Sequence, residues 1–533
     1  MKPKTMGLII WTAAVMGLAG TAGADSSAIA TVLDMSFEGE LTTTSSWDLQ
    51  SQIKGQLLYT IGSLNASNSV GRFDKVVLTN VQRTSLGGGR SKVTYHAKMP
   101  VAWGSKTNLP ASFTFTLPRD VSYAGLEAFA TRYKNSCVDF GAHDVNPGNM
   151  WFYYRPRAAG CSLAAADVAR FTASAVVSPA NTTGKFPEYD KVWEDGELRV
   201  IVIFAKYEDG ATTSVDAGIS AYNEFVRTSK TRLLSSGSGY ETVPASVPSS
   251  PGASMPIVEQ RVRLADGKRV TVSAFLVDDP SSAGAAFDSR YEELSGRADL
   301  IVYNGRAGFG ANVRALARKG SWIADQYVIG FMNASDTYAY IDSTLFDRHA
   351  AVNSGDPTGT KHTDVIVNAM PAYFSSQSKA TMAFINGLLS YSAPRTYEQI
   401  FREVDPSQVV MVTGEADNTF VPAAGGETAL PIRVQSSVTK NEQKRLITQV
   451  ADGTYVVTLA HDPAAPGGDA DLYVRIGAEP TTTAYDCRPY KSGSDETCEV
   501  TLAAPAQLFT VVRGYASQSS AYILTIAAEG GGG

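Results

Sequence analysis

The sequence predicts a multidomain protein: a β-rich (α+β) N-terminal region, an α/β central domain with a mostly parallel sheet, and a C-terminal β-sandwich. Three observations lead there. The 533 residues exceed what one hydrophobic core ordinarily serves, so roughly two to four domains are expected. The hydrophobic period runs from two, through alternating strand and helix signals, back to two. A stretch rich in Ser, Pro and Gly, residues 236–255, separates the first two regimes and reads as a linker.

The chain begins with an export signal. Lys2 and Lys4 precede an apolar run from Met6 to about Ala19, and Ala22-Gly23-Ala24 supplies an A-x-A cleavage site before Asp25. Residues 1–24 therefore read as a signal peptide, and the mature protein as secreted, bacterial in type. A membrane anchor needs about 20 apolar residues, whereas Gly and Thr interrupt this run. No later segment is long and apolar enough to span, and no cysteine stands at the cleavage site to carry a lipid. With 44% apolar and 18% charged residues the chain is of folded, globular composition. Its formal charge of -6 leaves no basic surplus for phosphates, which argues against a nucleic-acid partner.

Four cysteines form two local pairs, Cys137 with Cys161 and Cys487 with Cys498. In an exported chain an even count points to disulfides. Zinc is the weaker alternative, because neither C-x-x-C nor H-E-x-x-H occurs.

Across residues 25–235, strand alternation is clear in Val93, Tyr95, Ala97 and Met99 and in Phe113, Phe115 and Leu117. A helix is expected over Gly125 to Asn135. The aromatic run Trp151-Phe152-Tyr153-Tyr154 reads as the two faces of a buried strand in preference to a sugar-binding platform. Leu198 to Ala205 is a nearly continuous apolar strand, and Val215, Ile219, Tyr222 and Val226 follow at helical spacing. Residues 256–422 then alternate strands (around Val270, Asp299, Tyr327, Asp364 and Gln408) with helices (around Ala285, Asn312, Ser378 and Thr396), the pattern of a parallel sheet covered on both faces. Ligands of such sheets bind at the carboxyl ends of strands. That singles out the loops Asn304 to Gly310 and Asn333 to Thr337. Gly305, Gly308 and Gly310 match no phosphate loop and read as a tight strand-to-helix turn.

The segments Leu300-Ile301-Val302-Tyr303-Asn304-Gly305-Arg306-Ala307-Gly308 and Phe331-Met332-Asn333-Ala334-Ser335-Asp336-Thr337 resemble the two catalytic stations of clan CD cysteine peptidases, the group of caspases, gingipains, legumain and clostripain. The resemblance covers roughly residues 256 to 420 and implies a caspase-like fold. It also implies a catalytic His followed by Gly after one strand and a catalytic Cys after the next. This chain carries Arg306 and Ser335 there, 29 residues apart. A thiol peptidase needs a thiolate and an imidazole; arginine stays protonated, and serine without a base is a poor nucleophile. A degenerate site is the expectation. The competing possibility is a rebuilt serine site in which His349, 14 residues after Ser335, serves as base with Asp336 or Asp347 orienting it.

Residues 434–528 return to period two, with turns at Asp452-Gly453, Pro466-Gly467-Gly468 and Ser492-Gly493. Gly468-Asp469-Ala470-Asp471-Leu472-Tyr473-Val474-Arg475, Tyr485-Asp486-Cys487-Arg488-Pro489-Tyr490 and Gly514-Tyr515 with Tyr522 resemble the pre-peptidase C-terminal domain of secreted bacterial peptidases. That resemblance implies a jelly-roll-like sandwich. It also implies optional calcium, for which Asp462, Asp469 and Asp471 offer the oxygen ligands; no other cofactor is expected. Residues 529–533 are a glycine-rich tail.

Taken together, these features lead to a secreted, catalytically degenerate peptidase-like protein that binds an extracellular protein, a peptide or a cell-surface ligand. The alternatives are an active hydrolase using Ser335 and an adhesive, carbohydrate-binding β protein using Trp151 to Tyr154.

Overall fold

The computed structural model describes residues 25–45, 47–414, 418, 420, 422, 431–463, 465, 467–504 and 506–529. The expected signal peptide and the last four glycines lie outside the described residues. Among those residues no helix is long and apolar enough to cross a membrane. The chain divides into two compact units, residues 1–389 with 395–420 and residues 390–394 with 421–533.

The first unit opens with an antiparallel sheet whose longest strands are Thr31–Thr43 and Arg90–Trp103, paired along their whole length. Alternation does what it predicts. Val93, Tyr95, Ala97 and Met99 point into the core, as do Phe113, Phe115 and Leu117 of the strand Ser112–Pro118. Helix α1, Leu49–Asn65, is capped where Asp48 accepts the Ser51 N–H. The expected helix runs from Tyr123 to Tyr133. The Trp151 run is not a strand: Met150–Tyr153 forms a short helix, α2, with Trp151 and Tyr154 buried. Four consecutive aromatics can satisfy either geometry, and the turn just before them, where Asn149 Oδ1 accepts the Asn146 N–H, starts a helical turn.

Nine strands form the second sheet: β1 (Ser26–Ser27), β2 (Glu197–Ala205), β3 (Gly237–Val243), β4 (Ile257–Leu264), β5 (Arg269–Val277), β6 (Leu300–Gly305), β7 (Val328–Ala334), β8 (Thr363–Asn368) and β9 (Val410–Thr413). Their order is β1-β9-β8-β7-β6-β2-β5-β4-β3. The five central strands, β8 to β5, are parallel, and the flanking ones antiparallel. Every residue of β6, β7 and β8 is buried, as expected of parallel strands covered on both faces. Helices α3 (Ala217–Ser236) and α7 (Phe374–Leu388) cover one face, with Phe225 on Phe204 and Phe384 on Phe331. Helices α4 (Ala285–Ser295), α5 (Ala311–Lys319) and α6 (Thr344–Val352) contribute to the core on the other face, where Phe287 meets Phe275.

The expected boundary at residues 236–255 is corrected by this sheet. Strand β2 and helix α3, placed in the N-terminal region by sequence, lie at the centre of the α/β layer, and β3 occupies the first part of the supposed linker, Gly237–Val243. Strand β3 is an edge strand exposed on one side, so its Ser- and Gly-rich composition looks like a linker while its backbone pairs with β4. One buried cluster also runs from the first sheet into the second, from Val32 and Phe115 to Tyr303 and Met332.

The second unit holds two antiparallel sheets. Ile432–Val438, Gly453–His461, Glu496–Leu502 and Ser520–Ala528 form one; Gln443–Val450, Ala470–Ile476 and Ala506–Gly514 form the other. Val457, Leu459, Leu472, Leu508 and Ile526 lie in its core.

Candidate functional site

The carboxyl ends of β6, β7 and β8 share a pattern: an apolar residue, an asparagine, then a small residue. Asn304-Gly305, Asn333-Ala334 and Asn368-Ala369 are those ends. The three asparagines are fully buried and joined across the sheet. Asn333 Nδ2 donates to Asn304 Oδ1 at 2.7 Å, and Asn368 Nδ2 donates to Asn333 Oδ1 at 2.9 Å. Gln408 Nε2 also donates to Asn333 Oδ1, at 2.9 Å, and Asn304 Nδ2 donates to the Thr381 hydroxyl at 2.9 Å. A buried polar chain satisfied in this way fixes the strand tips in register. In the sequence its one signal is the Asn-small dipeptide at each of the three strand ends.

Beyond this ladder, Gly305 pairs with Ala334, so the next residues, Arg306 and Ser335, emerge from adjoining strands. Arg306 reaches Asp209 at 3.2 Å on the surface. Its carbonyl oxygen accepts from the Tyr303 hydroxyl and Asn312 Nδ2, at 2.7 and 2.8 Å. The turn that follows places Gly308, Phe309 and Gly310 all at positive φ. The two glycines adopt it freely, whereas Phe309 carries the strain. Ser335 Oγ accepts the Ala372 N–H at 3.2 Å.

The alternative base is not there. His349 packs its ring on Trp322 at 5.0 Å, and its carbonyl accepts from Asn353, whose side chain in turn accepts the Asp325 N–H at 2.7 Å. Trp322 and Asp325 immediately precede β7, so His349 lies at the amino end of the sheet. Ser335 lies at the carboxyl end, about 20 Å away along a seven-residue strand. The reason is the direction of α6, which runs back along the sheet from the β7 tip. Both ring nitrogens of His349 lack partners, and burial, with His362 nearby, lowers its pKa to about 4. Neither expected orienting carboxylate faces an imidazole: Asp347 accepts from Ser343, and Asp336 turns to Asn65 of α1 at 3.3 Å. Among the described residues, no histidine is hydrogen-bonded to Ser335.

Asp336 is wholly buried. Burial raises its carboxyl to about 7, partly offset by Asn65 and Arg155, and Oδ1 has no partner. Residues 137–161, closed by the expected Cys137–Cys161 disulfide, lie against these tips. Trp151 of α2 contacts Phe309 at 4.8 Å and Tyr340 at 6.4 Å. Phe309, Tyr373 and Tyr207 remain exposed around the site.

In the second unit the Cys487–Cys498 disulfide also forms. Buried Glu496 accepts the Leu472 and Lys491 N–H groups. Arg488 lies over the Tyr473 and Tyr490 rings at 4.6 and 4.1 Å. Residues 449–513 match the family profile of the bacterial pre-peptidase C-terminal domain. This segment is a pre-peptidase C-terminal domain.

Similarity to known proteins is brief in extent. The virulence metalloprotease of Vibrio anguillarum is 37% identical over 78 residues, 14% of this chain and 13% of that protein. The alkaline serine exoprotease A of Vibrio alginolyticus is 46% identical over 56 residues, 10% of each. The chain thus spans about an eighth or less of either relative, and by name the two use different chemistries. Among solved structures, the pre-peptidase C-terminal domain of a Bacillus anthracis collagenase is 14% identical, with a TM-score of 0.16, covering 18% of this chain and 89% of that one.

The calcium ligands expected in the pre-peptidase C-terminal domain do not gather. Asp462 accepts from Gln435 at 2.6 Å, Asp469 from the Gly493 N–H at 2.9 Å, and Asp471 pairs with Arg488 at 3.3 Å. Among the described residues no three His, Cys, Asp or Glu side chains converge as a metal site would require. A carboxylate already facing a guanidinium is a poor calcium ligand.

Proposed function

We propose that this is an exported, peptidase-related protein whose α/β layer is a clan CD-like scaffold, and that it binds protein or peptide segments at the strand tips without cleaving them. The observation that carries the reading is the pairing of Gly305 with Ala334, which brings Arg306 and Ser335 out side by side where such a peptidase would hold imidazole and thiol. A proton acceptor is the missing part, since His349 faces the opposite end of the sheet. The exposed rings of Phe309, Tyr373 and Tyr207 offer apolar surface beside the tips. The pre-peptidase C-terminal domain fits a protein that works outside the cell beside its protease relatives. Trp151 and Tyr154 are buried, which leaves little of the aromatic run free to stack on sugars.

A mixed peptide-substrate library tests the reading. The native chain and Ser335→Ala are both expected to give no turnover; cleavage by the native chain that Ser335→Ala abolishes would overturn it. The combined substitution Arg306→His with Ser335→Cys is expected to create a thiol that iodoacetamide alkylates faster at neutral pH than the Ser335→Cys thiol alone. Equal rates would count against the two positions being catalytic stations.

A further inference from the structure

The amino end of the same sheet, opposite Ser335, holds a cleft of about 850 Å³ between β2–β5 and α4, within the roughly 300–1,000 Å³ range of ligand sites. Six arginines line it: Arg199, Arg261, Arg263, Arg269, Arg290 and Arg297. Four glutamates, Glu197, Glu241, Glu259 and Glu293, stand against them. A chain of net charge -6 therefore carries a locally positive cleft.

Two of the glutamates are deep, while Glu241 and Glu293 stand at the rim among the arginines. Glu259 and Glu197 form the floor, with Glu259 only 6% exposed, while Arg269 and Arg297 on the walls are 58% and 57% exposed. Each floor carboxylate clamps two guanidiniums. Glu197 Oε2 accepts from Arg199 and Arg269, both at 2.9 Å, and Glu259 takes Arg261 and Arg290. Thr271 and Ser273 hydroxyls add to the same carboxylates at 2.8 and 3.2 Å. The guanidinium planes are thus ordered before any ligand arrives, which lowers the entropic cost of engaging one. No aromatic ring lines the cleft, so it offers no aromatic platform on which a neutral sugar face would stack. Its Val and Ile residues are spent in the sheet, leaving no apolar pocket for peptide side chains.

We infer that this cleft binds an acidic polysaccharide, a chain whose carboxylates or sulfates meet the ordered guanidiniums in forked hydrogen bonds. The site is separate from the strand tips and does not depend on their role.

The test uses the full mature chain with heparin and polygalacturonate as probes, neutral dextran as control and poly-glutamate as competitor. Arg263→Ala combined with Arg297→Ala is the informative variant. Arg263 reaches the Gly267 carbonyl at 3.5 Å and Arg297 the exposed Glu293 at 3.6 Å, so both floor carboxylates keep their partners. Binding of an acidic polymer but not dextran is expected, weakening at least about tenfold between about 50 and about 200 mM salt. The double variant is expected to bind about tenfold more weakly with an unchanged melting temperature, while Ser335→Ala binds as the native chain does. Should the double variant melt early, Arg297→Glu alone, on an exposed side chain, is expected to weaken binding severalfold. The inference is overturned by no binding to either acidic polymer at low salt, by undiminished binding in the arginine variants, or by poly-glutamate binding more tightly than both polysaccharides.

Discussion

At the β7 tip, Asp336 joins two parts of the first unit, because its side chain leaves the α/β sheet and meets Asn65 at the end of α1. Burial pushes its carboxyl up to about 7 from an ordinary 3.8. The folded chain therefore holds a proton there that the unfolded chain gives up, and the contact is strongest at acid pH. Stability from this group falls as pH rises from about 4 to about 7 and is then constant. An amide in its place cannot ionise. Asp336→Asn is expected to gain on the native chain by roughly 2–3 kcal/mol between about pH 5 and about pH 8, read from urea unfolding at both. A difference that does not change with pH would mean the carboxyl is ionised in the folded protein. Ser335, one residue earlier, makes a single weak acceptor contact with Ala372, so Ser335→Ala should leave stability nearly unchanged.

The asparagine ladder shows how elements, rather than single side chains, hold the tips. Asn333 is its centre, donating to Asn304 and accepting from Asn368 and Gln408. Asn333→Ala takes the shorter hydrogen bond from each of three buried polar partners, leaving Asn304 with Thr381, Asn368 with the Ala334 carbonyl at 3.4 Å and Gln408 with Asn368 at 3.4 Å, and should cost about 2–4 kcal/mol, measured as a lower urea midpoint; a loss below about 1 kcal/mol would mean water replaces the amide. Strands β5 to β8 were legible in the sequence because each is a short apolar run, β5 closed by Asp278 and the other three by Asn and a small residue, and burial on both faces leaves little else such a run can be. The strand tips followed from that, and with them Arg306 and Ser335. Partner choice was not legible. The apolar run of β2 was plain, but nothing local says it inserts between β6 and β5, roughly 65 to 100 residues away. Strand β3 was hidden by its edge position, and His349 by the direction of α6, which only packing decides. Asn304 and Asn333 read as the first residues of loops because asparagine after a strand usually starts one, and Asn368 reads as one more residue of the strand Asp364 to Ala369.

Across the first unit, three buried carboxyls act in the same sense. Burial raises Asp25 to about 6, against the attraction of Arg72, and Asp299 to about 8, against the Arg199 N–H and charge; Asp336 stands at about 7. For each, the folded pKa lies above the unfolded one, so each favours the folded state most at acid pH and loses that contribution as pH rises through its own folded value. His349 opposes them over a narrower window. Its pKa is lowered to about 4 from 6.5, so its neutral burial costs stability as pH falls below about 6.5. From about pH 4 to about 6 three carboxyls outweigh one imidazole, and from about 6.5 to about 8 nothing described here opposes those still titrating. Stability of this unit should therefore decline from mildly acid to mildly alkaline pH. All six tryptophans of the chain precede residue 323, so tryptophan fluorescence during urea unfolding follows this unit and not the pre-peptidase C-terminal domain. The expected midpoint is higher at about pH 5 than at about pH 8. In a chain with both Asp336→Asn and Asp299→Asn the difference should shrink by more than half. A midpoint that rises with pH in the native chain would show that these carboxyls fold ionised, with water or a cation reaching positions that the packing closes off.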